Sequence, residues 1–325
     1  MITILNEQIR DGSKFIRNYE ISDENGVTTI IPYYVICGKN PGPVLCVTSG
    51  VHGTEYPGIG ANLQLYHDIQ PENLSGTLIG VPQCNFASFT TRVPFVNPLD
   101  NKNLNDTFPG NENGSITEKI CHVLVKEFAA KADFHIDMHS GDSIEFLHPY
   151  AFYHINKNDS HVTGISREMA QVYALDYVAH TETDGLGATD KGNFYAAVCE
   201  LGIPSIQPEI GGIGLIQEHT KQLHYNGVLN VMNYLGMLKG TITVNTQQCE
   251  LSRFYRIKSS QNGVYHCLVS PGEKVKKSQK LAYVTDYHGE TVYEEFFAEE
   301  DSVILWVMAP FATIKGDNLM AIGII

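Results

Sequence analysis

Four residues, His52, Glu55, His139 and Glu209, each stand where an apolar run stops, in the segments VLCVTSGVHGTEYPG, DFHIDMHSGD and GIPSIQPEIGG. Two imidazoles and a carboxylate form the donor set of a hydrolytic zinc site that keeps one position open for water. A further carboxylate within reach can serve as general base. His52 and Glu55 sit on a turn after a strand and can converge on one ion, and His139 at the end of another strand completes the set. Neutral imidazoles and one carboxylate leave the ion net positive, which lowers the pKa of bound water to about 7 and polarises a carbonyl. Glu209 lies between Pro208 and the pair Gly211-Gly212, a setting for a rigid, exposed turn. An isolated HxxE equally describes a helix-capping histidine beside a surface glutamate, so the weight rests on the four together. His135 is a rival third ligand on the same strand, or a hydrogen-bonded buried histidine. Asp137 either orients a metal-bound histidine or pairs with backbone at the strand end.

These residues must be carried by alternating strands and helices. PVLCVTS and TLIGVPQ read as strands, with PGIGANLQLYHDI between them as a helix whose Ile59, Leu63 and Tyr66 share a face and whose Pro57 suits the first turn. A polar stretch from about 85 to 114 lacks periodicity. Ser115-Ile-Thr-Glu118 predicts a capping box opening a helix to about Lys131, with Ile116, Ile120, Val123, Leu124 and Phe128 inward. DFHIDMH alternates as a strand, Phe194 to Leu201 reads as a helix stopped by Gly202, and IPSIQPE as a further strand. The pattern predicts an α/β fold with a mixed, mostly parallel sheet between helices, the carboxyl strand ends forming the functional crevice. After about 240 the chain turns to short β-rich runs, so a catalytic domain over 1–242 and an all-β domain over 243–325 are expected.

The 325 residues suffice for one large domain and a small one. A formal net charge of −14 without a basic run argues against a nucleic-acid or anionic-membrane partner. No apolar run approaches the roughly 20 residues of a spanning helix, and the first segment lacks the pattern of a secretory signal, so a cytoplasmic location is expected. Seven scattered cysteines without a CxxC pair indicate neither a disulfide framework nor a thiolate zinc site.

GVHGTEYPG, DMHSG and PEIGG, in that order, resemble the metal-binding and catalytic blocks of the succinylglutamate desuccinylase and aspartoacylase family, zinc deacylases with a zinc carboxypeptidase-like fold. The resemblance implies one Zn2+ per chain on His52, Glu55 and His139, with Glu209 as base. It also implies that Arg92 stabilises the carbonyl oxygen as it becomes anionic and that Asn105 holds the polar end of the substrate. Where the family usually has a carboxylate-binding arginine, this chain has Asp106. An anion there should abolish bidentate carboxylate capture and favour a cationic or hydroxylated substrate, unless Lys102 or Lys191 compensates. The tail GVYHCLVSPGEKVKKSQKLAYVTDYHGE resembles the biotinyl and lipoyl carrier fold, but the stretch 298–302 holds no lysine to modify. An accessory, wall-forming or assembly role is expected for it.

The expectation is a zinc amidohydrolase removing an acyl group from the nitrogen of a small N-acyl amine or amino acid. The alternatives are a carboxypeptidase-like peptidase and a non-catalytic binding or carrier protein. The glycine-rich run 184–192 reads as a loop rather than a phosphate site, His148, Tyr150, Tyr153 and His154 are candidate pocket residues, and homo-oligomerisation is left open.

Overall fold

A nine-stranded mixed sheet forms the centre of the protein. The computed structural model describes residues 3–182 and 192–325, so the glycine-rich run up to and including Lys191 lies outside the described residues. In chain order the strands are β1 (Lys14–Ser22), β2 (Thr28–Cys37), β3 (Asn40–Ser49), β4 (Ser75–Val81), β5 (Phe134–Met138), β6 (Tyr150–His154), β7 (Tyr177–Thr181), β8 (Ser205–Glu209) and β9 (Cys249–Glu250). Across the sheet they run β9-β7-β6-β8-β5-β3-β4-β2-β1. Five of the eight ladders are parallel, including the central β8-β5-β3-β4 block. The β6-β8, β4-β2 and β2-β1 pairings are antiparallel. The central strands are buried on both faces, as expected where helices cover a parallel sheet.

Helices α1 (Tyr56–Asp68), α4 (Ser160–Val172) and α6 (Glu218–Tyr234) cover one face. Ala61, Leu65, Met169, Ala170, Val228 and Val231 enter a core there with Val47, Ile136 and Ile206 of the sheet. On the other face α3 (Ile116–Val123) and α5 (Phe194–Glu200) bring Ile116, Ile120, Phe194 and Val198 against Val35, Cys46 and Ile79. The Ser115–Glu118 capping box is present, and the helix it opens continues as a wider turn over Leu124–Phe128. In α1 the buried stripe differs from the predicted one. Ile59 is inward, but Leu63 is 42 % exposed, while Gly58, Ala61 and Asn62 face the sheet. Asn62 is on that face because its amide bonds Val47 O and Ser49 Oγ at 3.1 Å each, and Tyr34 donates its hydroxyl to Asn62 Oδ1 at 2.8 Å.

Past the large sheet the chain forms two antiparallel sheets facing each other. Their main strands are β10 (Arg253–Lys258), β11 (Gly263–Cys267), β12 (Lys280–Thr285), β13 (Val292–Phe297), β14 (Ser302–Met308) and β15 (Asn318–Ile324). One sheet contains β14, β15 and β10, and the other β13, β12 and β11. The chain pairs with the large sheet beyond residue 242, through β9, before entering this all-β part. A strand from the α/β part, Glu145–Leu147, in turn joins the all-β sheet by pairing with β14. One hydrophobic cluster runs through both parts, with Leu147, Tyr150 and Phe152 against Phe254, Trp306 and Met320.

Two buried histidines tie this frame together. His135 in β5 bonds Ser205 Oγ of β8 at 2.8 Å and Thr48 Oγ1 of β3 at 3.0 Å. His224 in α6 bonds the carbonyl of His139 at 3.0 Å and the Tyr173 hydroxyl at 3.1 Å. Burial pushes their pKa values down to about 4 and about 3, from an ordinary value of 6.5. At these two sites the unfolded chain therefore binds protons that the folded chain refuses, and their contribution to stability falls as pH drops below about 6.5. For His224→Gln, calorimetric unfolding should show a protein less stable at pH 7 whose deficit narrows by about 1.4 kcal/mol per pH unit below about pH 6. A deficit constant from pH 7 to 4 would contradict a neutral buried His224.

Candidate metal centre and active site

β3, β5 and β8 lie side by side and parallel around β5, so their carboxyl ends open onto one crevice. β3 ends at Ser49, and the turn after it carries His52 and Glu55. Gly53 is needed in this turn, because a Cβ there would sit 2.1 Å from the amide nitrogen of Phe89. Glu55 is the N-cap of α1, and Pro57 is in the first turn, so the helix dipole favours the carboxylate. His139 follows β5 directly and forms a β-bridge with Glu209 at the end of β8.

His52, Glu55 and His139 converge, each offering a ligand atom within 4.8 Å of the others, and all three are buried. Glu55 lies between the imidazoles, with Oε1 at 2.7 Å from His52 Nδ1 and Oε2 at 2.9 Å from His139 Nδ1. The far nitrogens are engaged from behind: His52 Nε2 bonds Asn103 Oδ1 at 3.1 Å, and His139 Nε2 bonds Asp137 Oδ2 at 3.0 Å. Both imidazoles are thereby oriented with Nδ1 inward, the outer-shell arrangement that metal-binding histidines require. Asp137 is itself fixed by Thr48 Oγ1 at 2.7 Å. Two backed imidazoles and a carboxylate within this span fit a zinc ion. His135 is held by Ser205 and Thr48 and is not part of the group.

The charges show how far these groups depend on one another. Burial alone would lower His52, but Glu55 more than offsets it and holds the imidazole at about 9. Burial would raise Glu55, yet His139 and His52 bring it down to about 2. His139 lies well above its ordinary value because Glu55 and Asp137 outweigh its burial. Glu209 is pushed up to about 8 by burial, with His139 opposing and Glu55 and Glu145 adding to the rise. Gln207 Nε2 donates to Glu209 Oε1 at 2.7 Å.

All four residues line one cavity of about 320 Å3. Asn105 and Asp106 line it too, Asn105 being fixed by Phe194 N, which donates to its Oδ1 at 3.1 Å. Arg92 is elsewhere: it is exposed, left-handed (φ 59°) at the C-cap of α2 (Phe86–Thr91), and absent from the cavity lining. Lys102, the proposed substitute cation, pairs with Glu118 at 2.7 Å. Of the other pocket candidates, Tyr150 lines the cavity, whereas His148 bonds Asp176, Tyr153 bonds Glu250 and His154 bonds Glu200. Sequence reasoning missed Asn103, Glu145, Gln207, Arg256, Trp306 and Asn318, all in the lining. Gln207 could have been found, since residues two apart in a strand share a face with Glu209. The others reach the cavity through long-range pairing or irregular chain.

The catalytic-domain sequence profile described as succinylglutamate desuccinylase/aspartoacylase matches residues 41–235. The chain belongs to that family. It is 27 % identical over 308 residues to N-alpha-acetyl-L-2,4-diaminobutyric acid deacetylase of Halomonas elongata, covering 93 % of this chain and 88 % of the relative. The fold matches the product-bound ectoine utilization protein EutE (DoeB) of Ruegeria pomeroyi with a TM-score of 0.87 and 25 % identity, over 100 % of this chain and 99 % of the other. A succinylglutamate desuccinylase from Silicibacter sp. TM1040 aligns with a TM-score of 0.86 and 25 % identity, over 99 % and 98 % of the two chains.

A metal ion bound by His52, Glu55 and His139 would have to displace the protons that Glu55 and Asp137 favour on the two histidines. Titration calorimetry with Zn2+ at pH 7.5 in buffers of different ionisation enthalpy should report release of about two to three protons per ion bound, two from the imidazoles and up to one from Glu209, whose pKa of about 8 a neighbouring cation would lower. Binding without proton release would contradict this charge state.

Proposed function

We propose that this protein is a zinc-dependent N-deacylase acting on a small N-acyl amino acid with a cationic side chain. The observation that carries the reading is the His52-Glu55-His139 cluster facing the same cavity as Glu209, its β-bridge neighbour. Zinc bound by the three would polarise the acyl carbonyl and make water acidic enough to lose a proton near neutral pH. Glu209 takes that proton and returns it to the departing amine nitrogen. Gln207 holds Glu209 Oε1, leaving the second oxygen to meet the water. Burial holds the carboxyl ready to carry a proton, and a cation beside it would favour the ionised form in which it starts the reaction. Arg92, exposed and outside the lining, is given no step.

The lining supports this substrate class. Asp106, at the position where an arginine was expected by resemblance, supplies an anion suited to an ammonium group, and half-buried Glu145 stands in the same cavity. The Halomonas relative acts on an acetylated diamino acid, which carries such a group. A cavity of about 320 Å3 walled by the all-β part suits a small amide better than a polypeptide, so the peptidase alternative is disfavoured.

Glu209→Gln should retain stoichiometric zinc by elemental analysis while turnover of Nα-acetyl-L-2,4-diaminobutyrate falls about 10² to 10⁴-fold. An unimpaired rate would remove Glu209 as the base. Asp106→Asn should lower kcat/KM for that compound about 10- to 100-fold and leave N-acetyl-2-aminobutyrate, which lacks the ammonium, less affected. Equal losses on both would detach Asp106 from substrate recognition.

A further inference from the structure

The charges around the cavity leave one requirement unmet by the residues already assigned. Glu55, Asp106, Glu145 and Glu209 all line it, so an amino-acid substrate would bring its carboxylate into a strongly acidic enclosure. Zinc would be occupied with the acyl carbonyl, and the histidines with zinc. Among the described residues of the lining only Arg256 carries a lysine or arginine charge.

Arg256 comes from the all-β part, on β10, where it pairs with Ala321 of β15. Its guanidinium lies 5.3 Å from the ring centre of Phe254, which shares its strand face and is fixed in the core between the two parts. Stacking of this kind orients a guanidinium without using its hydrogen-bond donors. Among the described residues Arg256 forms no ion pair, although Arg253 on the same strand pairs with both Glu299 and Glu300. Tyr150 lines the same cavity, and its hydroxyl, pushed up by burial and then by Glu209, has Arg256 as the first opposing influence. A stacked, unpaired arginine facing an acidic cavity is placed to receive a carboxylate in a bidentate grip.

Building on the deacylase reading, we propose that Arg256 binds the carboxylate of the amine half of the substrate, so that the all-β part supplies a specificity-determining residue. The substrate is then gripped at three points: the acyl carbonyl at the metal centre, the side-chain ammonium at Asp106 and the carboxylate at Arg256. Three unlike contacts around one carbon distinguish its two enantiomers.

The test compares Nα-acetyl-L-2,4-diaminobutyrate with N-acetyl-1,3-diaminopropane, the same amide without its carboxylate, using zinc-loaded wild type, Arg256→Gln and Arg256→Lys. Wild type should prefer the carboxylated amide, and Arg256→Gln should shrink that preference in kcat/KM by about 10- to 100-fold, mainly through KM. Arg256→Lys, which keeps the charge and loses the fork, should restore part of the preference. An unchanged preference in both variants would overturn the assignment, and so would a wild type without preference. If Arg256→Gln does not fold, the lysine variant decides alone: a preference lowered from wild type supports the proposal, and one equal to it overturns it. Failure of wild type to cleave either amide would instead overturn the deacylase reading, and this assignment with it.

Discussion

The site depends on the hydrogen-bonded alignment of three parallel strands, β3, β5 and β8, at the middle of the large sheet. Their register is locked by a buried polar chain in which Ser205, His135, Thr48 and Asp137 follow one another across the strands. Each member is fully buried, so a missing partner would leave an unsatisfied group at a cost of roughly 1–3 kcal/mol. The last member, Asp137, holds His139 by its outer nitrogen. The chain that fixes the sheet therefore also aims the ligand.

The other side of the arrangement comes from irregular structure. Asn103 reaches back from the segment after α2 to bond His52, and the Asn103 side chain also accepts the amide of Asn105 at 2.9 Å. This polar stretch, featureless in sequence, is a packed wall with Leu104 and Phe108 buried beneath it. One loop thus backs His52 and lines the cavity, while Glu209 stands at the end of a sheet strand.

Much of this was legible from residue order. The βαβ unit, the capping box at Ser115 and the strands ending at His139 and Glu209 follow from local periodicity and turn chemistry, and these elements carry the four chemical residues. Less legible were the features that depend on distant pairing. Leu63 continues a helical stripe in sequence but is exposed, because hydrogen bonds to the sheet bring Asn62 inward. Glu145 reaches the cavity because its strand pairs with β14, more than 150 residues later, and Arg256 because the all-β part folds against the crevice. Arg92 matched a family position in sequence, yet backbone conformation at the end of α2 sets where it stands, and its residue type does not encode that.

The exchange of strands between the two parts has a bearing on how such an enzyme diversifies. Because Glu145–Leu147 is stitched into the neighbouring sheet, the tail cannot drift as an independent passenger. Its inner surface, with Arg256, Trp306 and Asn318, is nevertheless built apart from the strands that position His52, Glu55 and His139. Mutations accumulating on that surface would reshape which molecules are admitted while His52, Glu55, His139 and Glu209 stay in place, so the part of the cavity wall drawn from the tail can vary on its own although it is mechanically joined to the rest.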